Sequence, residues 1–431
     1  MTTQSRAATQ AAPAASVAPA APAAPAAPAA PDEATRGRHR RGFWVVVGAF
    51  AVLMAFTTLP TPLYPLYQQR DGFPTFVITL IFAAYGIGVM GGLYLAGHVS
   101  DYLGRRPVLL AATAVELVSA VMFVLLQDTA SLLVARFLCG LGIGAVTATA
   151  TAHLAELHAV GRPGSDGRFA SVVAGAVNTG GLALGPLVAG LLTQFLPHPL
   201  TVPYAVWVVL LAAAFVALLF APETVDRPAT RPAYRPQRVS VEPQVRSHFS
   251  AAAVAAAAAF SVLGVFTSLT ASFVGGTLGL HSRLLTGSIV FGVIGASTLS
   301  QVLLGSRDVP ERLRAGMAAM SVGLVLVAVG AWTTSLPVFA VAGVVAGAGV
   351  GLVFNVAIAT ASTVSSPEHR GETLAGMFLA AYAGITIPVV AAGLAVTYVP
   401  APAVLVVFAA VVLVAVLVST TRLLARSSAT D

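Results

Sequence analysis

The chain has 431 residues, of which 57% are hydrophobic and only 9% charged, against ~25% charged residues in soluble domains. So little polar surface excludes an ordinary soluble core and fits helices in lipid, where each segment must satisfy its own backbone polar groups. The formal net charge of +7 rests on arginine without lysine, and these arginines fall in loops between apolar runs, not on one basic face, which argues against nucleic acid as a partner.

Residues 1–42 read as a disordered cytoplasmic tail. The Ala/Pro run from Ala11 to Pro31 has almost no large apolar side chains to pack, and it does not follow the pattern of a secretory signal. Arg36, Arg38, Arg40 and Arg41 then precede the first apolar run, a cluster that holds this end in the cytoplasm. A membrane span needs ~20 apolar residues, and twelve runs qualify. They cover 43–67, 75–98, 107–126, 130–156, 168–195, 201–220, 249–275, 284–304, 314–334, 337–361, 372–398 and 401–421. The seventh opens on a weakly hydrophobic stretch, Ala251 to Ala259. With the N-terminus inside, twenty arginines lie on cytoplasmic segments, two (Arg70 and Arg283) lie outside, and Arg136 lies within a span. This asymmetry places both termini in the cytoplasm; the expected membrane is the plasma membrane.

The spans divide into an N-terminal bundle (43–220) and a C-terminal bundle (249–421). A Pro/Arg-rich linker (221–248) joins them and a short tail (422–431) follows. A faint repeat relates the halves: Arg168 precedes Pro186 by the same spacing with which Arg370 precedes Pro388. The fold class read from this pattern is an all-α integral membrane protein, with twelve transmembrane helices in two six-helix bundles.

Between the second and third spans lies a charged hairpin, Gly97-x3-Asp101-x2-Gly104-Arg105-Arg106. Glu156 closes the fourth span on the same face. Glu116 is the acidic residue well inside a span, and Thr113 and Ser119 share its helical face. Burial favours the neutral, proton-bearing form of such a carboxyl, although a structural pairing with Arg136 is the simpler alternative. Arg136 itself lies inside the fourth span, followed by Gly140, Gly142 and Gly144. A cation at that depth needs a cavity or a partner, or it must snorkel to the surface. The single cysteine, Cys139, excludes an internal disulfide. The fifth span carries Gly181-x3-Gly185-Pro186-x3-Gly190, which reads as a close-packing kink. His98 and His153 stand near cytoplasmic span ends, where surface or capping roles are expected.

The hairpin closely resembles the loop between helices 2 and 3 of the major facilitator superfamily, the span-4 arginine pattern resembles that of its proton-coupled members, and the span-5 pattern resembles the antiporter motif. In the last, Val172 and Ala189 stand where the motif has glycine, and Tyr102 follows Asp101 where a basic residue is frequent. The resemblance covers nearly all of 43–421 and implies a twelve-helix transporter of the drug:proton antiporter branch. It implies a conformational latch of Gly97, Asp101, Gly104, Arg105, Arg106 and Glu156 that holds the outward-facing state. A plain topology anchor is the alternative for that loop. It further implies proton coupling at Arg136, beside which Glu116, from its burial, is the candidate proton carrier. From the fold analogy, Thr58, Tyr64, Asn178, Asn355 and Tyr382 are substrate-cavity candidates, each equally suited to bonding a neighbouring helix.

The expected function is proton-coupled efflux of a small amphipathic compound by alternating access. Proton-coupled uptake of a sugar or organic acid is the alternative on the same fold, and a non-transporting receptor or scaffold is the alternative outside it. The expected partners are a small-molecule substrate, protons and the lipid bilayer, with the chain acting as a monomer. No nucleophile–base pair, metal cluster or phosphate loop points to an enzyme, a metal or a cofactor.

Overall fold

The structure is a computed structural model describing residues 32–225, 234–237, 241–366 and 370–427. Among the described residues twelve helices are long and apolar enough to cross a membrane. Spans 1–6 are Glu33–Asp71, Thr75–Ala96, Arg105–Leu125, Thr129–Gly161, Arg168–Phe195 and Val202–Leu219. Spans 7–12 are Arg246–Thr277, Arg283–Leu304, Val309–Trp332, Leu336–Val364, Gly371–Ala395 and Ala401–Ala425. An even number of crossings returns the chain to the face where span 1 began, called here the terminal face.

Three expected boundaries move. Span 1 begins at Glu33, so the disordered tail expected to reach residue 42 gives way to helix ten residues earlier; residues 1–31 lie outside the described residues. Asp32 caps this helix by accepting from the Thr35 amide at 3.0 Å, and Glu33 places an anion in the first turn. The helix of span 12 runs to Ser427, through most of the expected tail, and span 7 begins at Arg246 inside the expected linker. Span 1 is interrupted after Thr58, where Pro60 and Pro62 enforce a single tight turn, Thr61–Leu63, before helix resumes at Tyr64–Asp71.

Two buried apolar clusters match the two halves. One is built from spans 1–6; the other from spans 7–12, joined by Phe82 and Ala183 of the first half. Glycine sets how closely spans approach. Gly140 and Gly144 of span 4 meet Gly88 and Gly92 of span 2, and a Cβ at Gly144 would lie 2.5 Å from the Val89 carbonyl oxygen. With no Cβ on either side the backbones touch, the packing that helices in lipid favour. Gly181 and Gly185 of span 5 lie likewise against Met54 and Ala55 of span 1.

The halves meet through spans 2 and 11 and through spans 5 and 8. Toward the face opposite the termini they are tight: Gly393 lies on Thr79, Gly287 on Pro186 and Gly190 on Arg283. Arg283 also donates to the Thr193 carbonyl at 3.1 Å, and its amide donates to the Gln194 side chain at 3.1 Å. Toward the terminal face a cavity of ≈ 260 Å³ separates Arg168–Ala176 of span 5 from Thr298–Ser306 of span 8. The conformation is therefore closed on the face opposite the termini.

Candidate functional site

At the terminal face, span 2 leads through the one-turn helix Ser100–Leu103 into span 3. Gly104 joins them at φ +103°, a left-handed conformation that side chains resist, and a Cβ there would come within 2.5 Å of the Glu223 carboxylate. Arg105 is the hub. Its Nη1 reaches Asp101 at 2.5 Å and Ser100 Oγ at 2.8 Å, and its Nη2 reaches Glu156 Oε1 at 2.9 Å. Its side chain is only 12% exposed, which strengthens these charge-assisted bonds. Asp101, Arg105 and Glu156 thus come together, while Arg106 joins through its backbone.

The linker completes this network, and sequence reasoning missed it. The Glu223 carboxylate accepts from the amides of Arg105 (2.9 Å) and Arg106 (3.1 Å), the first N–H groups of span 3, which have no partner within the helix. It also accepts from the amides of Thr224 (2.9 Å) and Val225 (3.1 Å). Thr224 Oγ1 donates to Glu156 at 2.5 Å, and the buried His153 ring meets the Pro222 carbonyl at 2.8 Å. The available signal was an acid directly after span 6, on the face that carries Arg105 and Arg106. Among the described residues, the hydrogen bonds and ion pairs of Asp101, Arg105, Glu156 and Glu223 all lie in spans 1–6 and the linker. The network is complete here although the opposite face is closed, so its integrity is not reserved for a state open on that face.

Two charged residues, Arg136 and Glu116, lie at membrane depth in the N-terminal half. Arg136 is 1% exposed; one guanidinium nitrogen donates to the Thr57 carbonyl at 2.6 Å, Nε has no partner, and the group covers the Tyr85 ring at 4.6 Å. Thr57 O is free to accept because the helix of span 1 breaks immediately beyond it. Glu116 is fully buried; the Cys139 thiol lies beside its carboxyl, whose oxygens have no other donor. Its titratable neighbours are Cys139 and Arg136 of span 4. Gly142 makes the room: a Cβ there would lie 2.8 Å from Glu116 Oε1. Thr113 and Ser119 share the buried face but bond the Leu109 and Ala135 carbonyls, not Glu116.

Between the halves lies a central cavity of ≈ 60 Å³. Its walls are aromatic (Phe82, Tyr85, Phe260, Phe354, Phe378, Tyr382) with Thr57, Thr58, Asn178 and Thr179 among the polar groups, and Arg136 is its charged residue. Of the five expected cavity residues, Thr58, Asn178 and Tyr382 line it. Thr58 has a structural duty as well. Pro186 has no N–H to give the Leu182 carbonyl, and Thr58 Oγ1 supplies the bond instead at 2.7 Å. Tyr64 and Asn355 are corrections. Tyr64 is buried near Arg136 without reaching the cavity, and Asn355 accepts a hydrogen bond from Arg312 and lines the terminal-face cavity. A larger apolar groove of ≈ 690 Å³ runs along spans 7, 11 and 12 on the outside of the bundle. Gly384 packed on Ala257, and Gly264 on Ile385, wall it off from the centre.

At the mouth of the N-terminal half on the face opposite the termini, Arg70 pairs with Asp71 at 2.6 Å and reaches Gln127 Oε1 at 2.8 Å. Nearby Asp128 caps span 4, and hydrogen bonds from the Ser131 side chain and amide hold its carboxyl below the ordinary carboxylate value.

Two helical halves around a central cavity at membrane depth define a polytopic transporter. A family profile described as Major Facilitator Superfamily matches residues 45–318, more than half of the chain, and the chain belongs to that superfamily. Members of the family are transporters, not enzymes. An uncharacterized MFS-type transporter of Mycobacterium tuberculosis is 33% identical over 185 residues, 42% of this chain and 25% of the relative. The puromycin resistance protein pur8 of Streptomyces alboniger is 30% identical over 166 residues, 38% of this chain and 32% of the relative. The arabinose-proton symporter of Bacillus subtilis is 33% identical over 81 residues, 19% of this chain and 18% of the relative. The chain thus spans a third or less of the length of these relatives. Among solved structures, the human organic anion transporter MFSD10 (TETRAN) superposes with a TM-score of 0.65 at 19% identity, covering 89% of this chain and 99% of that one. The nucleoside transporter NupG superposes with a TM-score of 0.67 at 13% identity, covering 89% and 99%. These likenesses establish the fold.

Proposed function

We propose that the protein exports a small amphipathic compound across the plasma membrane in exchange for protons, working as a monomer with both termini in the cytoplasm. The observation that carries this reading is the pairing of an aromatic central cavity, whose charged residue is Arg136, with the fully buried carboxyl of Glu116 one helix away. A proton on Glu116 leaves Arg136 without a counter-charge; a carboxylate there provides one. The two protonation states therefore favour different arrangements of spans 3 and 4, and a substrate that binds one arrangement better is coupled to the proton. Arg136 and Glu116 are the coupling residues. Asn178 and Tyr382, with the aromatic wall, are the substrate-contacting residues; Thr58 combines contact with support of the Pro186 kink. The network of Asp101, Arg105, Glu156 and Glu223 is the conformational brace of the terminal face, acting on the second half through the linker. The Gly181–Gly190 packing of span 5 supports the export direction by its likeness to the antiporter motif, and the relative named for puromycin resistance is consistent with it.

The test is puromycin and ethidium susceptibility of an efflux-deficient host expressing the chain, followed by efflux from loaded cells with and without a protonophore. Tolerance that a protonophore abolishes and Arg136→Ala removes at equal expression is the expected result. Accumulation of the probe along an inward proton gradient would overturn export, and unchanged efflux in Arg136→Ala would overturn the coupling role.

A further inference from the structure

The cavity of ≈ 260 Å³ between spans 5 and 8 at the terminal face shares no lining residue with the central cavity. Its polar lining comes from Arg168 and Ser171 of span 5, Thr298 and Gln301 of span 8, Ser306 just beyond that span, and Asn355 of span 10. Its rim is apolar. Val172 and Val302 line it and are still 43% and 45% exposed. Residues three and four apart share a helix face, so Leu299, Val302 and Leu303 form one exposed apolar stripe on span 8, as Phe169 and Val172 do on span 5. The mouth of the cavity lies between these two lipid-facing stripes. Arg168 opens the helix of span 5 and Ser306 follows the end of span 8, which sets the mouth at the membrane surface. Ala176, two turns further along span 5, lies about 12 Å deeper at ~1.5 Å per residue.

Arg168 is the charged residue of this lining, and no aspartate or glutamate joins it. Among the described residues its side chain has no ion pair and no hydrogen bond. Asn355 Oδ1 accepts from Arg312 of span 9, which leaves the Asn355 NH2 group unspent. Thr298 and Gln301 give donors to the Ile294 and Ser297 carbonyls, each at 3.2 Å. The Ser171 and Ser306 hydroxyls donate to no group among the described residues. A free guanidinium, two hydroxyls and an amide therefore border one polar space whose mouth faces lipid.

We propose that this cavity binds the head of an anionic phospholipid from the leaflet on the terminal face, its phosphate against Arg168 and its chains along Val172 and Val302. Arginine holds phosphate through charge-assisted, frequently bidentate bonds, and basic pockets between transmembrane helices take anionic heads. A zwitterionic head would leave its ammonium without a counter-charge, since no carboxylate lines the cavity. The bound head stands where spans 5 and 8 are apart, so the lipid favours this conformation, closed on the opposite face. Substrate, direction of transport and proton coupling play no part in the site.

Nanodiscs holding the full chain test it. Cys139 is buried, which leaves a thiol introduced as Leu303→Cys, beside the mouth and outside the lining, as the position that takes a bimane label. Quenching by brominated phosphatidylglycerol and by brominated phosphatidylcholine then gives their relative affinity at this mouth. The expected result is a preference for phosphatidylglycerol of about fivefold, the scale of one arginine beside an anionic head, falling below about twofold in Arg168→Gln. Arg422→Gln, which removes an exposed arginine of span 12, keeps the preference. No preference in the parent protein, its survival in Arg168→Gln, or equal loss in Arg422→Gln would overturn the site. If inorganic phosphate removes the preference and chloride at the same ionic strength does not, free phosphate is the occupant and the lipid is overturned. Nitroxides at Phe169→Cys and Leu303→Cys report the spacing of spans 5 and 8. A larger wide-spaced population in phosphatidylglycerol than in phosphatidylcholine is expected, and it is absent in Arg168→Gln; identical distributions in the two lipids would overturn the conformational bias.

Discussion

Replacing Glu223 by alanine withdraws one carboxylate from four backbone amides, those of Arg105, Arg106, Thr224 and Val225. Two of these are the opening N–H groups of span 3, and no other acceptor replaces them. Loss of a helix cap costs about 0.5–2 kcal/mol, and loss of an anion at a helix start costs a further ~0.3–1 kcal/mol. Glu223 is half-buried, so solvent and salt trim the second contribution. A local loss of about 1–2 kcal/mol follows, equivalent to opening that is ~5- to 30-fold more frequent at tenfold per 1.4 kcal/mol. Hydrogen–deuterium exchange of the purified protein reads this directly in the peptides spanning the start of span 3 and residues 221–225. Glu223→Gln keeps an acceptor oxygen and loses the charge, so its acceleration is smaller, about two- to fivefold. Unchanged exchange at the start of span 3 in Glu223→Ala would refute the capping argument. Equal acceleration in every span would refute its locality.

Gly144→Ala drives a Cβ to 2.5 Å from the Val89 carbonyl oxygen, where only backbone stands to give way. A loss of about 1–3 kcal/mol and a lower melting temperature in detergent are expected. Gly48→Ala, with nothing within 4 Å of the added carbon, serves as the neutral control. Thr58→Val leaves the Leu182 carbonyl without a donor at the Pro186 kink, a cost of about 1–3 kcal/mol; faster amide exchange in span 5 checks it. Arg136→Lys keeps the charge but loses the planar group that bonds Thr57 and covers Tyr85, so efflux of the probe falls at least ~10-fold despite the retained cation. Asp128 has a folded carboxyl value below the ordinary 3.8, so its cap contributes stability above 3.8 that is lost as pH falls through the lower folded value. Titration of its carboxyl by NMR at or above 3.8 would contradict the Ser131 bonds.

The twelve spans were legible because a run of ~20 apolar residues has few alternatives to crossing a bilayer. Their ends were less so, since hydropathy does not register a polar helix. The stretch from Glu33 to Gly42 is rich in helix-forming Glu, Ala and Arg but has no apolar run to announce it. Asp101, Arg105 and Glu156 were legible as a set through the hairpin's resemblance to the family loop, with Glu156 on the same membrane face. Glu223 was not, because an acid in a Pro/Arg-rich linker reads as solvated until the chain is seen to fold back. Asn355 and Tyr64 were misassigned to the cavity for a related reason. A polar side chain at lipid depth must find a partner, but sequence does not say whether that partner is ligand, water or helix. For Asn355 it is Arg312, and for Tyr64 the surroundings are Arg136 and Cys139.

The central cavity between the halves is small, ≈ 60 Å³. A transporter must hold its two faces apart whether or not it carries substrate. A cavity this small, walled by aromatic rings, leaves no wide column of solvent between the two faces. The aromatic wall thereby keeps small solutes from leaking past the empty transporter.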